Sequence, residues 1–182
     1  MNLPIYKIVL GETEGIEKMS LVEYPAVESE FFAFSKDKEP LKFAIQDEYQ
    51  HIVVGCALRA NYPIYRNQNG FEYYVIFTPE DIKTLYQKFM IDDKVSDVNL
   101  EHTQDIQGVH LIQSFIKDTN MGINPVGFDE CENGSWFVGY KIENDAVWQQ
   151  VLKGTFRGFS IEGEFELQEI DPIDILIDEL IN

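Results

Sequence analysis

Residues 135–167 read SWFVGYKIENDAVWQQVLKGTFRGFSIEGEFEL. Ser135 to Ile142 is a short apolar run rich in aromatic and β-branched side chains, the signature of a buried strand. Asn144 can cap a helix by accepting from the first free amides. Val147, Trp148, Val151 and Leu152 then recur at helical spacing, and Gly154 stops the turn. Phe156 to Leu167 returns to strand. Over the whole chain hairpin-length connections dominate, so the sheet is expected to be largely antiparallel with this helix packed beside it.

The remainder fits the same class. Ile52 to Leu58 is apolar and reads as a buried strand. Ile64-Tyr65-Arg66 and Phe71 to Phe77 flank the turn Asn67-Gln68-Asn69-Gly70 and read as a hairpin. Thr78-Pro79-Glu80-Asp81 opens a helix with a cap, a proline at its first position and two acids at the positive end of the dipole. Ile82, Leu85, Tyr86, Phe89 and Met90 form its apolar face. Val95 to His102 reads as a strand in which Val98, Leu100 and His102 share a face. Val109 to Ile116 is one more. The expected fold is α+β: a mainly antiparallel curled sheet or barrel with two principal helices.

Three regions are expected. Residues 1–50 form an N-terminal arm with short strands, because Tyr6 to Leu10 is strand-like while Pro25 and Pro40 break any long element. Residues 51–167 form the core. Residues 168–182 form an acidic tail in which Ile173, Leu176, Ile177, Leu180 and Ile181 repeat at helical spacing.

The chain has 182 residues and a formal net charge of -18, which argues against nucleic acid and anionic membrane as partners. No apolar stretch approaches the length of a membrane span, and the start lacks a signal-peptide pattern. Cys56 and Cys131 fit two reduced thiols rather than a disulfide framework.

Two segments carry candidate chemistry. In Gly158-Phe159-Ser160-Ile161-Glu162-Gly163, Ser160 and Glu162 fall on one strand face, and the glycines permit the close backbone approach that a peptide substrate or oxyanion hole needs. Taken alone, Ser160 reads first as a serine on the exposed face of an edge strand. His102 could take the Ser160 proton and return it to a leaving amine. A third group should hold the other ring nitrogen. Asp105 ranks first because it is local in sequence; Glu162 and Asp118 are the alternatives. Arg157 could donate to an oxyanion, or simply pair with a neighbouring acid. His51 and His110 read as packed or surface histidines. A zinc site from Glu101, His102 and His110 lacks ligand spacing. There is no GxSxG, GxGxxG or P-loop.

The ordered segments Met19 to Val27, Asn61 to Arg66, Val98 to His102, Gly134 to Gly139, Asn144 to Trp148 and Gly154 to Gly163 resemble the phage prohead (capsid-maturation) serine proteases, in the group of putative phage serine proteases related to herpesvirus assemblins. The resemblance spans residues 15 to 167. It implies an assemblin-like fold, Ser160 as nucleophile, His102 as base and no cofactor or metal. It further implies that the protein cuts capsid scaffold, major capsid precursor and itself inside the procapsid in the host cytoplasm, with a homodimer as one possible state. Departures are present. His102 is followed by Thr103 where related enzymes often have Asp. Assemblins use a second His after the Ser strand, and this chain has none beyond His110. Members can carry a longer C-terminal region, so this chain could be a processed form. The competing expectation is an inactive virion or scaffold-associated protein of the same fold.

Overall fold

Apolar runs with turn chemistry between them fix the strands. In the computed structural model the described residues are 3–11, 15–23, 44–96 and 98–171. The strands are β1 (Ile5–Val9), β2 (Gly15–Val22), β3 (Ala44–Asp47), β4 (Ile52–Leu58), β5 (Ile64–Gln68), β6 (Phe71–Ile76), β7 (Val98–Leu100), β8 (Gln104–Asp105), β9 (Val109–Ile116), β10 (Trp136–Ile142), β11 (Gly158–Glu164) and β12 (Glu166–Ile170); the helices are α1 (Pro79–Ile91) and α2 (Asp145–Leu152). The tail helix expected over 173–181 lies outside the described residues, as does 24–43 of the expected arm.

The fold is α+β. Among the described residues the strands form three four-stranded sheets, in the orders β12-β1-β6-β5, β3-β4-β10-β9 and β11-β2-β7-β8, and none closes into a barrel. Most neighbours are antiparallel, but β1 runs parallel to β6 and β2 parallel to β7. These parallel pairs arise because β1 and β2, from the segment expected to be an arm, insert between later strands. Their residues Ile8, Ile16, Met19 and Leu21 are buried in the main core with Trp136, Tyr140 and Phe159.

Both helices are capped as the sequence suggests. Thr78 and Asp81 form a reciprocal capping box on α1. Asn144 accepts from the amides of Ala146 and Val147 on α2. Phe89 of α1 packs edge-on against Trp136 at 5.3 Å between ring centroids.

Two expected strands differ. Val95 to His102 keeps only Val98–Leu100 extended; Lys94–Ser96 is a 3-10 turn, and Glu101 and His102 adopt φ of 50° and 57°. A side chain at positive φ leaves the strand's alternation, so His102 does not continue the face of Val98 and Leu100. The run from Phe156 to Leu167 divides at Phe165. β11 pairs with β2, whereas β12 crosses to pair with β1.

A register shift between Glu162 and Gly163 bends β11 just before that division. Gly163 is essential to it: a Cβ there would sit 2.2 Å from the carbonyl oxygen of Gly15 and 2.8 Å from the Phe165 ring. Gly163→Ala should cost about 1–3 kcal/mol through overpacking, read as a lower urea midpoint.

Candidate active site

The site is built on the sheet β11-β2-β7-β8. Ser160 stands directly opposite Ser20 in the antiparallel β11–β2 pair, and Ser20 stands opposite Asn99 in the parallel β2–β7 pair. Opposed residues point to the same face of a sheet, so Ser160, Ser20 and Asn99 form one polar row across three strands. Glu162, two residues after Ser160, shares that face.

His102 reaches the row from its turn. The Thr103 amide donates to the Leu100 carbonyl at 3.0 Å, closing the turn around the positive-φ pair. The Glu101 amide donates to the Leu21 carbonyl at 3.1 Å, and the Glu23 amide donates to the Glu101 carboxylate at 2.6 Å. These bonds tie the turn to β2.

The imidazole then meets a compact cluster. Its Nδ1 lies 2.9 Å from Ser20 Oγ and 3.1 Å from Glu162 Oε1. Ser20 Oγ lies 2.6 Å from Asn99 Oδ1 and 3.0 Å from Glu162 Oε1. Asn99 Nδ2 donates to Glu162 Oε1. Ser20 is fully buried at 0% exposure and Asn99 nearly so at 2%. The side chains of His102 and Glu162 remain 38% and 31% exposed, so the cluster opens to solvent on their side. Among the described residues, Nε2 of His102 makes no hydrogen bond, and none joins Ser160 to His102. One strand, β2, separates β11 from β7, so their backbones lie about 9.6 Å apart at ~4.8 Å per strand.

The other candidates lie elsewhere. Asp105 pairs with Lys18 at 2.6 Å on the exposed surface. Asp118 caps the 3-10 turn Thr119–Met121. Arg157 donates from Nε to the Gly154 carbonyl at 2.8 Å, in the loop before β11. His51 stacks on Trp148 at 4.5 Å, and His110 pairs with Glu143 at 3.3 Å.

Ser20 and Asn99 are the site members that sequence reasoning missed. Each is a small polar residue inside an otherwise apolar stretch, Met19-Ser20-Leu21 and Val98-Asn99-Leu100. A polar residue where burial is expected was the available signal.

Next to the cluster runs a groove of about 790 Å³ whose walls include Arg66, Tyr73, Phe77, Glu162, Gly163 and Phe165. Glu162 therefore borders both the polar row and the groove, whereas Ser160 and His102 are not among the residues that line it.

Burial alone would push the Glu162 carboxyl up, but hydrogen bonds, chiefly from Asn99 and His102, outweigh it and hold the group below the usual carboxylate range. A depressed folded value stabilises the protein above the unfolded pKa, and that contribution disappears as pH falls through the folded one. A carbon-detected NMR titration should find the Glu162 midpoint below that of a free glutamate. Glu162→Gln should flatten the loss of stability at pH below about 4.3.

Residues 43–169, more than half the chain, match the family model described as "Putative phage serine protease XkdF". Ser160, Glu162, His102 and Asn99 fall inside that match and Ser20 precedes it. A curated relative, the phage-like element PBSX protein XkdF of Bacillus subtilis (strain 168), is 26% identical over 168 residues. The alignment covers 87% of this chain and 56% of that relative, so the chain spans just over half its length. No solved structure matches the chain.

Proposed function

The chain belongs to the family described as putative phage serine protease XkdF, and from that premise we propose a serine endopeptidase with Ser160 as nucleophile, His102 as general base and Glu162 as the group that orients the imidazole. One observation carries the assignment: Glu162 and Ser20 both meet Nδ1 of His102. In a triad the acid and the nucleophile use opposite ring nitrogens. With Glu162 on Nδ1, the working nitrogen is Nε2, and Ser20 is on the wrong side to be the nucleophile. Ser20 also sits on a central strand with partners on both sides, where no peptide can lie alongside. Among the described residues Ser160 is on the edge strand β11, buried at 5% exposure and two residues from Glu162, which lines the groove.

The steps follow from those roles. Ser160 Oγ attacks the scissile carbonyl while its proton passes to His102 Nε2. That proton then moves to the departing amine, leaving an acyl-serine. Water gives its proton to Nε2, attacks the ester, and the serine recovers its hydrogen. The separation of β11 from β7 requires the Ser160–His102 hydrogen bond to form when substrate binds, as catalytic hydrogen bonds that are long in the free enzyme tighten in the substrate complex. Capsid scaffold, major capsid precursor and the chain itself are the proposed substrates, cut inside the assembling procapsid. An assemblin-like fold and a homodimer belong to the same proposal.

The second reading is an inactive virion or scaffold-associated protein. It is favoured by the missing Ser160–His102 hydrogen bond. Co-expression with a scaffold and capsid precursor separates the two. Ser160→Ala and His102→Ala should each lower cleavage by at least about a thousandfold, and a fluorophosphonate probe should add its mass to the peptide holding Ser160. Asp105→Ala, by contrast, should leave cleavage intact and cost less than about 1 kcal/mol, the scale of an exposed pair. Chelation should change nothing. Undiminished cleavage by Ser160→Ala overturns the nucleophile assignment; no cleavage and no labelling of the parent protein support the second reading.

A further inference from the structure

We infer that Ser20 and Asn99 are positioning residues whose hydrogen bonds place the proton of neutral His102 on Nδ1 and so leave Nε2 bare to act as the base. The inference rests on the proposed roles of His102 and Glu162 and extends them to two buried side chains on β2 and β7.

The argument is a count of protons. Asn99 has an oxygen and an NH2 group, and the NH2 donates to the Glu162 carboxylate. Reversing the amide would set its oxygen against that carboxylate, so Asn99 Oδ1 must face Ser20. At 2.6 Å, Oδ1 needs a donor, and the Ser20 hydroxyl supplies it. That hydroxyl has a single hydrogen. Asn99 Oδ1 and, more distantly, Glu162 Oε1 at 3.0 Å compete for it. None is left for His102 Nδ1 at 2.9 Å.

A bare Nδ1 would therefore point its lone pair at a Ser20 oxygen and at a carboxylate oxygen 3.1 Å away. Carrying its own hydrogen, Nδ1 donates to both. The closed set then satisfies every member: Nδ1–H to Ser20 Oγ and Glu162, Ser20 O–H to Asn99, Asn99 N–H to Glu162. In water, neutral histidine has no such template and either nitrogen can hold the proton. Full burial of Ser20 and near-full burial of Asn99 make an incomplete set costly, which enforces the arrangement.

The decisive measurement is 15N NMR of the histidine rings in the full chain at a pH where His102 is neutral. The unmodified protein should show His102 with a protonated Nδ1 and an unprotonated Nε2. Ser20→Ala and Asn99→Leu should shift the population toward protonated Nε2, while Ser20→Thr, which keeps the hydroxyl, should restore the parent pattern. On a scaffold substrate, Ser20→Ala should lower kcat at least about tenfold with KM within twofold, and should displace the acid limb of the pH–rate profile, the scale expected when a residue that orients a working imidazole is lost. A protonated Nε2 in the parent chain overturns the inference. So does a Ser20→Ala ring spectrum identical to the parent's in a variant that melts as a folded protein. The ring spectra read the tautomer without any cleavage, so active Ser160→Ala would remove the nucleophile assignment while leaving this inference to stand or fall by NMR. Should Ser20→Ala not fold, Ser20→Cys serves: it nearly keeps the volume, replaces the hydroxyl with a poor acceptor and should produce the same tautomer shift, and a ring spectrum identical to the parent's in a folded Ser20→Cys overturns the inference.

Discussion

Register between β11, β2 and β7 is the constraint on which the site depends. β2 lies between the other two and aligns Ser160 with Ser20 on one side and Ser20 with Asn99 on the other. Side chains alternate along a strand with a period of two, so a slip of one residue at either ladder would turn part of the polar row into the core. Met19 and Leu21, which flank Ser20 and are fully buried, penalise that slip. Apolar packing on one face therefore secures polar chemistry on the other. The bulge at Glu162 and Gly163 ends the alignment once Glu162 is in place and lets β12 leave for another sheet.

The polar row also constrains the core. Burying a hydroxyl or amide without partners costs of order 1–3 kcal/mol for each group. Ser20 and Asn99 escape that penalty only because each finds the other and both find the Glu162–His102 pair. Tyr140 shows the contrast: among the described residues its buried hydroxyl has no partner, and burial pushes its pKa well above the usual value. The ring earns its place by packing against Phe159, 5.2 Å away, on the residue next to Ser160. Here packing prevails over hydrogen bonding, whereas in the Ser20 row hydrogen bonding governs the arrangement.

Much of the fold was legible because local signals agreed with one another. Ile52 to Leu58, the hairpin around Asn69-Gly70, the capping box at Thr78 and the helix from Asn144 to Leu152 each carry strand, turn or cap chemistry that their neighbours support. The failures have a common physical origin. Residues 15–22 lack an alternating pattern because every residue from Met19 to Val22 is buried, on both faces of a central strand. A strand covered on both sides looks the same as an irregular segment when partners are unknown. The break at Phe165 is equally silent, since Glu164, Phe165 and Glu166 alternate as a continuous strand would. Of the candidate site, Ser160, His102 and Glu162 were named together from the sequence, but the register that relates them was not legible. It depends on β2 entering between β7 and β11, a long-range pairing that no local pattern encodes. Asp105 ranked first because it is near in sequence; the structure pairs it with Lys18, a partner on another strand that no local pattern announces.

The turn at Glu101 and His102 shows how the chain accommodates strain for this geometry. Two consecutive non-glycine residues at positive φ are disfavoured by of order 1–3 kcal/mol each. Asn-Gly would be the relaxed choice for such a turn, and its absence is why the strand appeared to run on through His102. Three hydrogen bonds over-determine the strained loop: Thr103 to Leu100, Glu101 to Leu21, and Glu23 to the Glu101 carboxylate. An extended His102 would have followed the alternation of β7 and shared the face of Leu100, opposite Asn99. The left-handed conformation instead brings the imidazole back over the polar row. The strain is thus what converts a residue beyond the strand end into a member of the cluster.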